Sequence, residues 1–423
     1  MSRPRILPVL LAAAALAAAA ATAQAQTPQP PPPTTSTPPP TTPTAPGPAA
    51  APASFTFTGR GWGHGVGMSQ YGARGRALAG WDARRILRHY YQGTKLTVMK
   101  RRKVRVLLSS ALSSATVWSP APWRLIGLRA NGRNVTPLAT GVVHTIRALP
   151  DGRLAVDRGA RRVAIIAGPL RVQARAASKW VAWGGSRPES SRRYRGGLRA
   201  VPSGGRFDLV NVVGLEDYLK GVVPREMPAS WGDDAPAALL VQAVAARSYA
   251  LSTMTPTTTF DLFDDDRSQV YGGVSAEDPR TTRAVVATRG TVLTYHGSVI
   301  TAFFFSTSGG RTEDVQNVFR GSGPRPYLVS VPDPFDRLSP YHVWPDPPTF
   351  SAARLGKLLG LDGPVTGVQI LRRGESPRVI DARFTTRSGR QSTFSGTSLR
   401  SSLGLRDTWF SVTPNPATAT ARR

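Results

Sequence analysis

The clearest periodic pattern in the chain lies in residues 234–252. Leu240 and Val244 begin an apolar stripe at helical spacing, and Pro236 suits the first turn of a helix. Two aspartates stand just before the stripe and are candidates for the helix cap. The pattern therefore predicts a central helix over residues 234–252.

Short apolar runs of a different kind fill residues 101–200 and recur later in the chain. Each run is rich in Val, Ile, Leu or Phe and is bounded by Gly, Pro, Asn or Asp, which is the pattern of β-strands. The runs lie at residues 104–108, 162–166, 209–213, 285–295 and 299–305. These positions predict a β-rich body.

Further helices are predicted within residues 69–91. Asp82 can cap a helix that begins at the next residue, Trp81 can pack back onto that helix, and Gly93 suits its end. Together with the strands, these helices indicate an α+β fold, a β-rich mixed domain with one central helix.

The N-terminus has the pattern of an exported protein. Residues 1–25 contain two arginines, an apolar run and a final Ala-Gln-Ala, as in a cleavable secretory signal peptide. Residues 26–53 are almost wholly Pro, Thr, Ala and Ser, a composition that favours an extended linker. We expect a protein of the secreted or cell-wall compartment, with no stable membrane span once the signal is cleaved.

The remaining sequence is interpreted as one body, residues 54–412, followed by a disordered tail at residues 413–423. The predicted parts of the body are a Gly-His-Gly segment at 54–96, a β-rich part at 101–200, a catalytic core at 201–330 and a C-terminal α+β part at 331–412. No repeat of fixed period is visible.

Composition excludes several kinds of chemistry. The chain has no cysteine, so disulfides, thiol nucleophiles and Cys-ligated metals are excluded. Its five histidines include no pair at the spacing of a local metal site, and the common nucleotide-binding and zinc-protease motifs are absent. We therefore expect no metal and no cofactor. The formal net charge of +29 predicts anionic neighbours, and export argues against nucleic acid as the partner.

Glu226 is the most interesting carboxylate. It lies between Pro224 and Pro228, where we expect a turn, with Met227 and Trp231 nearby in sequence. Apolar surroundings raise the pKa of a carboxyl group toward the range in which it can donate and then accept a proton. A surface glutamate before a helix is the alternative interpretation.

Two polar residues of the central helix add to this picture. Arg247 falls on the apolar stripe, where a buried guanidinium requires Glu226, Glu216 or a substrate as its partner. Gln242 can serve sugar hydroxyls or amides because it both donates and accepts. Glu216 and Asp217 are interpreted as the cap of a short helix over residues 217–222.

Two glycine-rich turns supply further candidates. Gly309 and Gly310 follow Ser308 and could let backbone amides approach a ligand. His64 stands between glycines, ahead of Ser69 and Gln70. The sequence favours a binding role and a structural role of His64 equally.

Five long segments together resemble the stage II sporulation protein D (SpoIID) and LytB family of peptidoglycan-acting proteins. They are residues 63–73, 216–231, 242–251, 268–273 and 306–313. Residues 101–190 match the family weakly. In the family, the Gly-His-Gly segment usually closes the domain, whereas here it opens the body. The resemblance thus implies a circular permutation, with the strand at Phe55 beside Val412.

The resemblance also implies a function, a lytic transglycosylase acting on the glycan strands of peptidoglycan. Glu226 matches the catalytic glutamate of the family. The residues that the resemblance and the reasoning above assign to substrate binding are His64, Ser69, Gln70, Gln242, Arg247, Tyr249, Ser308, Gly309 and Gly310. Family members called LytB instead enhance an amidase, so a non-catalytic protein with a cell-wall amidase as partner is the alternative.

Overall fold

The computed structural model describes residues 51–416 except 130–131, 176–179, 185–190, 256 and 258. The predicted signal peptide and nearly all of the predicted linker lie outside these residues. Within the described part, helices and strands alternate in the mixed manner expected of an α+β fold. No helix of this part is both long and apolar enough to cross a bilayer.

The first and last strands of the body lie side by side. Strand β1 (Ser54–Gly59) pairs antiparallel with β24 (Phe410–Asn415), and Phe57 stands opposite Val412. On its other edge β1 pairs with β20 (Thr349–Ser351). The predicted closeness of the two terminal segments is confirmed, while the circular permutation stays a prediction. Strand β24 continues three residues beyond 412, the predicted end of the body.

The β-rich part consists of two antiparallel sheets that share one apolar core. The first has the order β10-β9-β8-β5-β12-β13, and the second, β16-β4-β15-β14-β11-β6-β7, adds one short parallel strand, β16, at its edge. Their strands are β4 (Lys103–Leu112), β5 (Ser114–Trp118), β6 (Trp123–Arg129), β7 (Gly132–Leu138), β8 (His144–Ala148), β9 (Leu154–Arg158), β10 (Arg161–Ile166), β11 (Leu170–Ala174), β12 (Trp180–Trp183), β13 (Arg192–Arg195), β14 (Gly197–Ser203), β15 (Arg206–Gly214) and β16 (Leu262–Phe263).

The helical part packs on the second sheet. Its helices are α1 (Gln70–Leu78), α2 (Ala83–Tyr90), α3 (Leu215–Glu226), α4 (Pro236–Thr253), α5 (Pro279–Ala287) and α6 (Val315–Val318). Helix α4 is the predicted central helix, and it is buried on nearly all sides rather than along one stripe. The aspartates before it do not cap it. Asp233 instead binds Arg280 and Asp234 binds Arg74.

Helix α5 corrects the prediction of a strand over residues 285–295. Asp278 caps the helix by accepting the Arg280 amide, and Pro279 occupies its first turn, so the apolar residues that follow are helical. The strand is confined to β17 (Thr291–Tyr295). It forms a small sheet with β3 (Lys95–Val98) and β18 (Ser298–Val299), and β2 (Met68–Ser69) pairs with β19 (Phe304–Phe305).

The C-terminal part has its own core, to which β1 contributes Phe55 and Phe57. Strands β21 (Val365–Arg373), β22 (Val379–Thr386) and β23 (Gln391–Ser395) form its sheet, and α7 (Ala352–Leu358) and α8 (Gly396–Leu403) accompany it. Because this core contains residues from both ends of the body, the terminal segments form one structural unit.

Candidate functional site

Glu226 is the last residue of α3, so the expectation of an irregular turn was wrong. The helix begins at Leu215 and passes through Pro224. A proline lacks the amide that would donate to the carbonyl four residues earlier, and its ring crowds that carbonyl, so Pro224 interrupts the hydrogen-bond ladder locally. The ladder resumes beyond it, since the Met227 amide donates to the Val223 carbonyl at 3.0 Å. Glu226 is therefore held by a regular backbone.

The environment of Glu226 favours a protonated carboxyl group. Its side chain is half-buried, and this burial raises its pKa above the ordinary value for glutamate. The Val270 amide donates to Oε1 at 3.1 Å and opposes the shift. Within the described part of the chain, no neighbouring carboxylate adds to these influences on the Glu226 pKa. The shift is the one predicted from the apolar neighbours.

Two tyrosines stand near this carboxyl group. Burial is the main cause that raises the pKa of both Tyr218 and Tyr249, and the negative charge of Glu226 raises it further. Tyr218 lies two turns before Glu226 in α3, and its hydroxyl donates to Gln269 Oε1 at 3.4 Å. Tyr249 was predicted from the sequence, whereas Tyr218 and Gln269 were missed. The helical spacing of eight residues between Tyr218 and Glu226 could have identified the former.

Gln70 of α1 and Gln242 of α4 lie close to each other beside Glu226. Gln70 Nε2 donates to the backbone carbonyl of Glu226 at 2.8 Å and lies 3.4 Å from Gln242 Oε1. Gln242 and Gln269 are buried, and the Nε2 atom of each lacks a hydrogen-bond partner in the described residues. A buried amide without a partner is costly, so each is suited to a bound hydroxyl or carbonyl oxygen.

Open space adjoins this group of residues. A cavity of about 540 Å³ lies beside Val270 and is also lined by Arg225, Tyr271 and Asp264. The acidic loop at residues 264–266 also borders this cavity. Burial raises the pKa of Asp264, and the described residues contain no group of three or more side chains suited to a metal ion.

Arg247 does not belong to this site. Its guanidinium donates to both carboxylate oxygens of Glu216, at 3.0 and 2.7 Å, and it is fully buried. Glu216 also accepts the Gly290 amide at 3.1 Å. Glu216 is therefore the partner among the three left open by the sequence, and it lies in the first turn of α3 without capping it. The contacts of Arg247 give it a structural role in place of the predicted contact with substrate.

The turn at Ser308 forms a separate cluster. Ser308 Oγ and the Gly309 amide donate to Asp336 Oδ2 at 2.8 and 2.6 Å, and the Gly310 amide donates to Ser308 Oγ at 3.1 Å. The expectation that these amides approach a ligand is thus corrected, because the Gly309 amide donates to the buried Asp336 and the Gly310 amide donates to Ser308. Asp336 was not visible as a partner in the sequence.

His64 is held in a structural arrangement. Its Nε2 lies 3.1 Å from the Phe304 carbonyl, and its Nδ1 accepts the Val66 amide at 3.1 Å. Burial lowers the pKa of His64 to about 3, and the rings of Phe303, Phe305 and Phe319 surround it. Ser69 caps α1 by accepting the Gly72 amide. Both side chains have partners within the protein.

The lowered pKa makes a direct prediction for His64. Both ring nitrogens are engaged with the imidazole neutral, so we expect no change in its ring resonances between pH 5 and pH 8 in a two-dimensional NMR titration. The same imidazole in the denatured protein serves as the control, because an exposed histidine changes its charge within that range. Titration of His64 near pH 6.5 would contradict its burial.

Comparisons with known proteins point to the same region. The family model described as stage II sporulation protein matches residues 203–295. An amidase enhancer of Bacillus subtilis is 47% identical over 118 residues, 28% of this chain and 15% of that protein. Stage II sporulation protein D of Bacillus subtilis is 35% identical over 230 residues, 50% of this chain and 64% of that protein. An uncharacterized protein of Brachyspira hyodysenteriae is 36% identical over 141 residues, 33% of this chain and 37% of that protein.

These matches cover less than two thirds of each relative's own length. No solved structure gives a significant match to this chain. The matched residues 203–295 contain Glu226, Gln242, Tyr249 and Val270, which are most of the site built above. The resemblance predicted from the sequence is therefore confirmed, since residues 203–295 match the stage II sporulation protein family and the chain is similar to stage II sporulation protein D over half of its length.

Proposed function

We propose that this protein is an exported lytic transglycosylase that cleaves the glycan strands of peptidoglycan. The observation that carries the proposal is the half-buried Glu226, whose pKa is raised by burial without a second carboxylate contributing. Glycosidases that use water require a pair of carboxylates, with the second acting as base or nucleophile. A single acid suits a reaction in which the substrate supplies its own nucleophile.

The reaction balances with Glu226 alone. The protonated carboxyl group gives its proton to the glycosidic oxygen, and the bond from that oxygen to C1 of the muramic residue breaks. The resulting carboxylate then takes the proton of the C6 hydroxyl of the same sugar. That oxygen attacks C1 and closes a 1,6-anhydro ring, and Glu226 is protonated again.

The neighbouring side chains suit a sugar substrate. The free amide groups of Gln242 and Gln269 can donate to hydroxyl or N-acetyl oxygens. Tyr249 is half-buried and offers an aromatic face with a polar end, as sugar-binding sites often require. Gln70 fixes the Glu226 backbone and thereby positions its carboxyl group. We assign it a positioning role.

The location in the cell is part of the proposal. The export signal and the Pro-rich segment predicted from the sequence suit a protein that works outside the membrane. The net charge of +29 favours retention on an anionic wall by nonspecific attraction that salt would weaken. The name of the relative from Bacillus subtilis suggests a sporulation process, although no residue discussed here requires one.

Product analysis tests this proposal. Purified protein is incubated with peptidoglycan, both intact and freed of its stem peptides, and the fragments are analysed by mass spectrometry. We expect glycan ends that are 18 Da lighter than the hydrolysed sugar, because an anhydro ring forms without water. Reducing ends from hydrolysis, or the absence of any released glycan from both substrates, would contradict the proposal.

The 47% identity to an amidase enhancer favours a second candidate, a non-catalytic protein that binds the wall and stimulates an amidase. The two functions differ in their dependence on Glu226. An enhancer should accelerate release of stem peptides by an added cell-wall amidase equally well with Glu226→Gln, and should release no glycan by itself. The transglycosylase should release glycan without any amidase.

A further inference from the structure

Three large apolar side chains are exposed on one surface of the body. Val98 is 75% exposed, Met99 is 37% exposed and Val286 is 49% exposed. Single exposed apolar residues are common, but several on neighbouring segments beside charged residues indicate a contact surface. The backbone places these three together. The Met99 amide donates to the Gly290 carbonyl at 2.9 Å, and the Arg289 amide donates to the Val286 carbonyl at 3.2 Å.

The same surface carries the longest run of basic residues in the chain. Residues 100–103 read Lys-Arg-Arg-Lys and directly follow Met99, and Arg289 directly precedes Gly290. All five basic side chains are exposed. Among the described residues, none of these five side chains has an acidic partner within ion-pair distance. Arg74, Arg247 and Arg280, in contrast, each have one. We call Val98, Met99, residues 100–103, Val286 and Arg289 the apolar-basic patch.

A cavity of about 220 Å³ opens within the apolar-basic patch. Lys100, Arg101, Arg102 and Arg289 line it. Two acidic residues also line it, but each has a cation of its own. Glu216 binds Arg247, and Asp217 binds Lys220 at 2.7 Å. The cavity therefore keeps a positive charge that no acidic residue of its lining neutralises. Guanidinium groups supply part of this charge, and the arrangement of their hydrogen-bond donors suits phosphate.

We propose that the apolar-basic patch docks on the surface of an anionic lipid bilayer and that its cavity receives the phosphate of a lipid headgroup. Basic side chains bind anionic headgroups, and exposed apolar side chains enter the boundary between headgroups and acyl chains. A soluble polyanion would use the basic residues but would leave Val98, Met99 and Val286 in water. The exposed apolar residues thus favour a membrane. Docking would hold the body at the bilayer without any spanning helix.

Vesicle sedimentation tests this proposal with the chain that begins at Gln26, the product of the predicted cleavage. We expect binding to vesicles that contain phosphatidylglycerol and not to vesicles of phosphatidylcholine alone. Arg101→Gln with Arg289→Gln should weaken binding about thirtyfold, because each basic residue near the surface contributes about fivefold. Val98→Ser with Met99→Ser should weaken binding about tenfold, through lost burial of apolar surface.

The matched control is Arg158→Gln with Arg161→Gln. Both arginines are exposed on the β9–β10 hairpin and have no ion pair among the described residues. Their replacement removes the same charge as the Arg101 and Arg289 substitutions. Binding should change less than twofold. Equal losses in both arginine variants would show attraction by net charge only, and unchanged binding after the Val98 and Met99 substitutions would show a soluble polyanion as the ligand. Either result, or no binding to anionic vesicles, overturns the proposal. Cleavage of soluble glycan should be unaffected by all three double variants.

Discussion

Replacing Glu226 with Gln should reduce glycan cleavage by about 10²–10⁴-fold, the range that a positioned acid and base contributes to a reaction. Gln keeps the shape of the side chain and can still accept the Val270 amide, so binding of glycan should persist. Measured rates of anhydro-end formation, together with glycan affinity, separate loss of chemistry from loss of binding. Glu375→Gln is the control, because Glu375 is an exposed glutamate in the C-terminal part, and it should leave the rate unchanged.

The same substitution should stabilise the folded protein at neutral pH. Burial raises the folded pKa of Glu226 above its unfolded value, so its contribution to stability is fully present below the unfolded pKa and is lost as pH rises through the folded pKa. Gln does not ionise. The free energy of unfolding of Glu226→Gln should therefore exceed that of the unchanged protein at pH 8 and equal it near pH 4 in denaturant titrations.

The raised pKa also sets the direction of the pH dependence of cleavage. In the proposed reaction the protonated carboxyl group is the active acid, so the rate should fall as pH rises through the folded pKa of Glu226. If Glu226→Gln is less stable than the unchanged protein at pH 8, or if the cleavage rate increases throughout pH 4 to pH 8, the assignment of a buried general acid is contradicted. Raising the pH should thus lower both activity and stability, whereas Glu226→Gln should lower activity and raise stability at pH 8.

The sequence identified the central residues of the candidate site because they lie in or beside strong local patterns. Glu226, Gln242 and Tyr249 fall within two helices, and Gln70 begins a third. Local patterns do not reveal pairing over long distances. The Gly309 amide and Ser308 are bound by Asp336, and Arg247 is bound by Glu216, and only the folded chain brings those carboxylates to their partners.

The prediction of secondary structure was wrong where a helix cap or packing in the core outweighed the local sequence pattern. Residues 285–287 were predicted as strand from their apolar character, but the Asp278 cap and Pro279 begin a helix that ends at Ala287. The helix was predicted over residues 217–222 only, but Tyr218, Val222 and Val223 pack in the core and α3 extends to Glu226. In both cases packing and capping decided the structure.

Arg378 provides the largest stability effect that we predict. Its guanidinium is fully buried and donates to both oxygens of Asp407, at 2.8 and 2.9 Å. It also donates to the carbonyls of Ser308 and Arg311, at 2.8 and 2.7 Å. Its side chain lies against Gly65, where a methyl group would collide with Nε. One side chain thereby joins the Gly-His-Gly segment, the Ser308 turn and the C-terminal part.

Arg378→Met should lower the free energy of unfolding by about 3–5 kcal/mol, because it leaves the Asp407 carboxylate buried without a cation. Asp407→Leu should cost a similar amount by leaving the guanidinium unpaired. The double variant should cost less than the sum by about 1–3 kcal/mol, the range of coupling between contacting residues. Denaturant unfolding of the four proteins measures this coupling. The control is Arg372→Met at the exposed pair Arg372–Asp381, where a cost below about 1 kcal/mol is expected. Additive costs at Arg378 and Asp407 would contradict a stabilising ion pair between them.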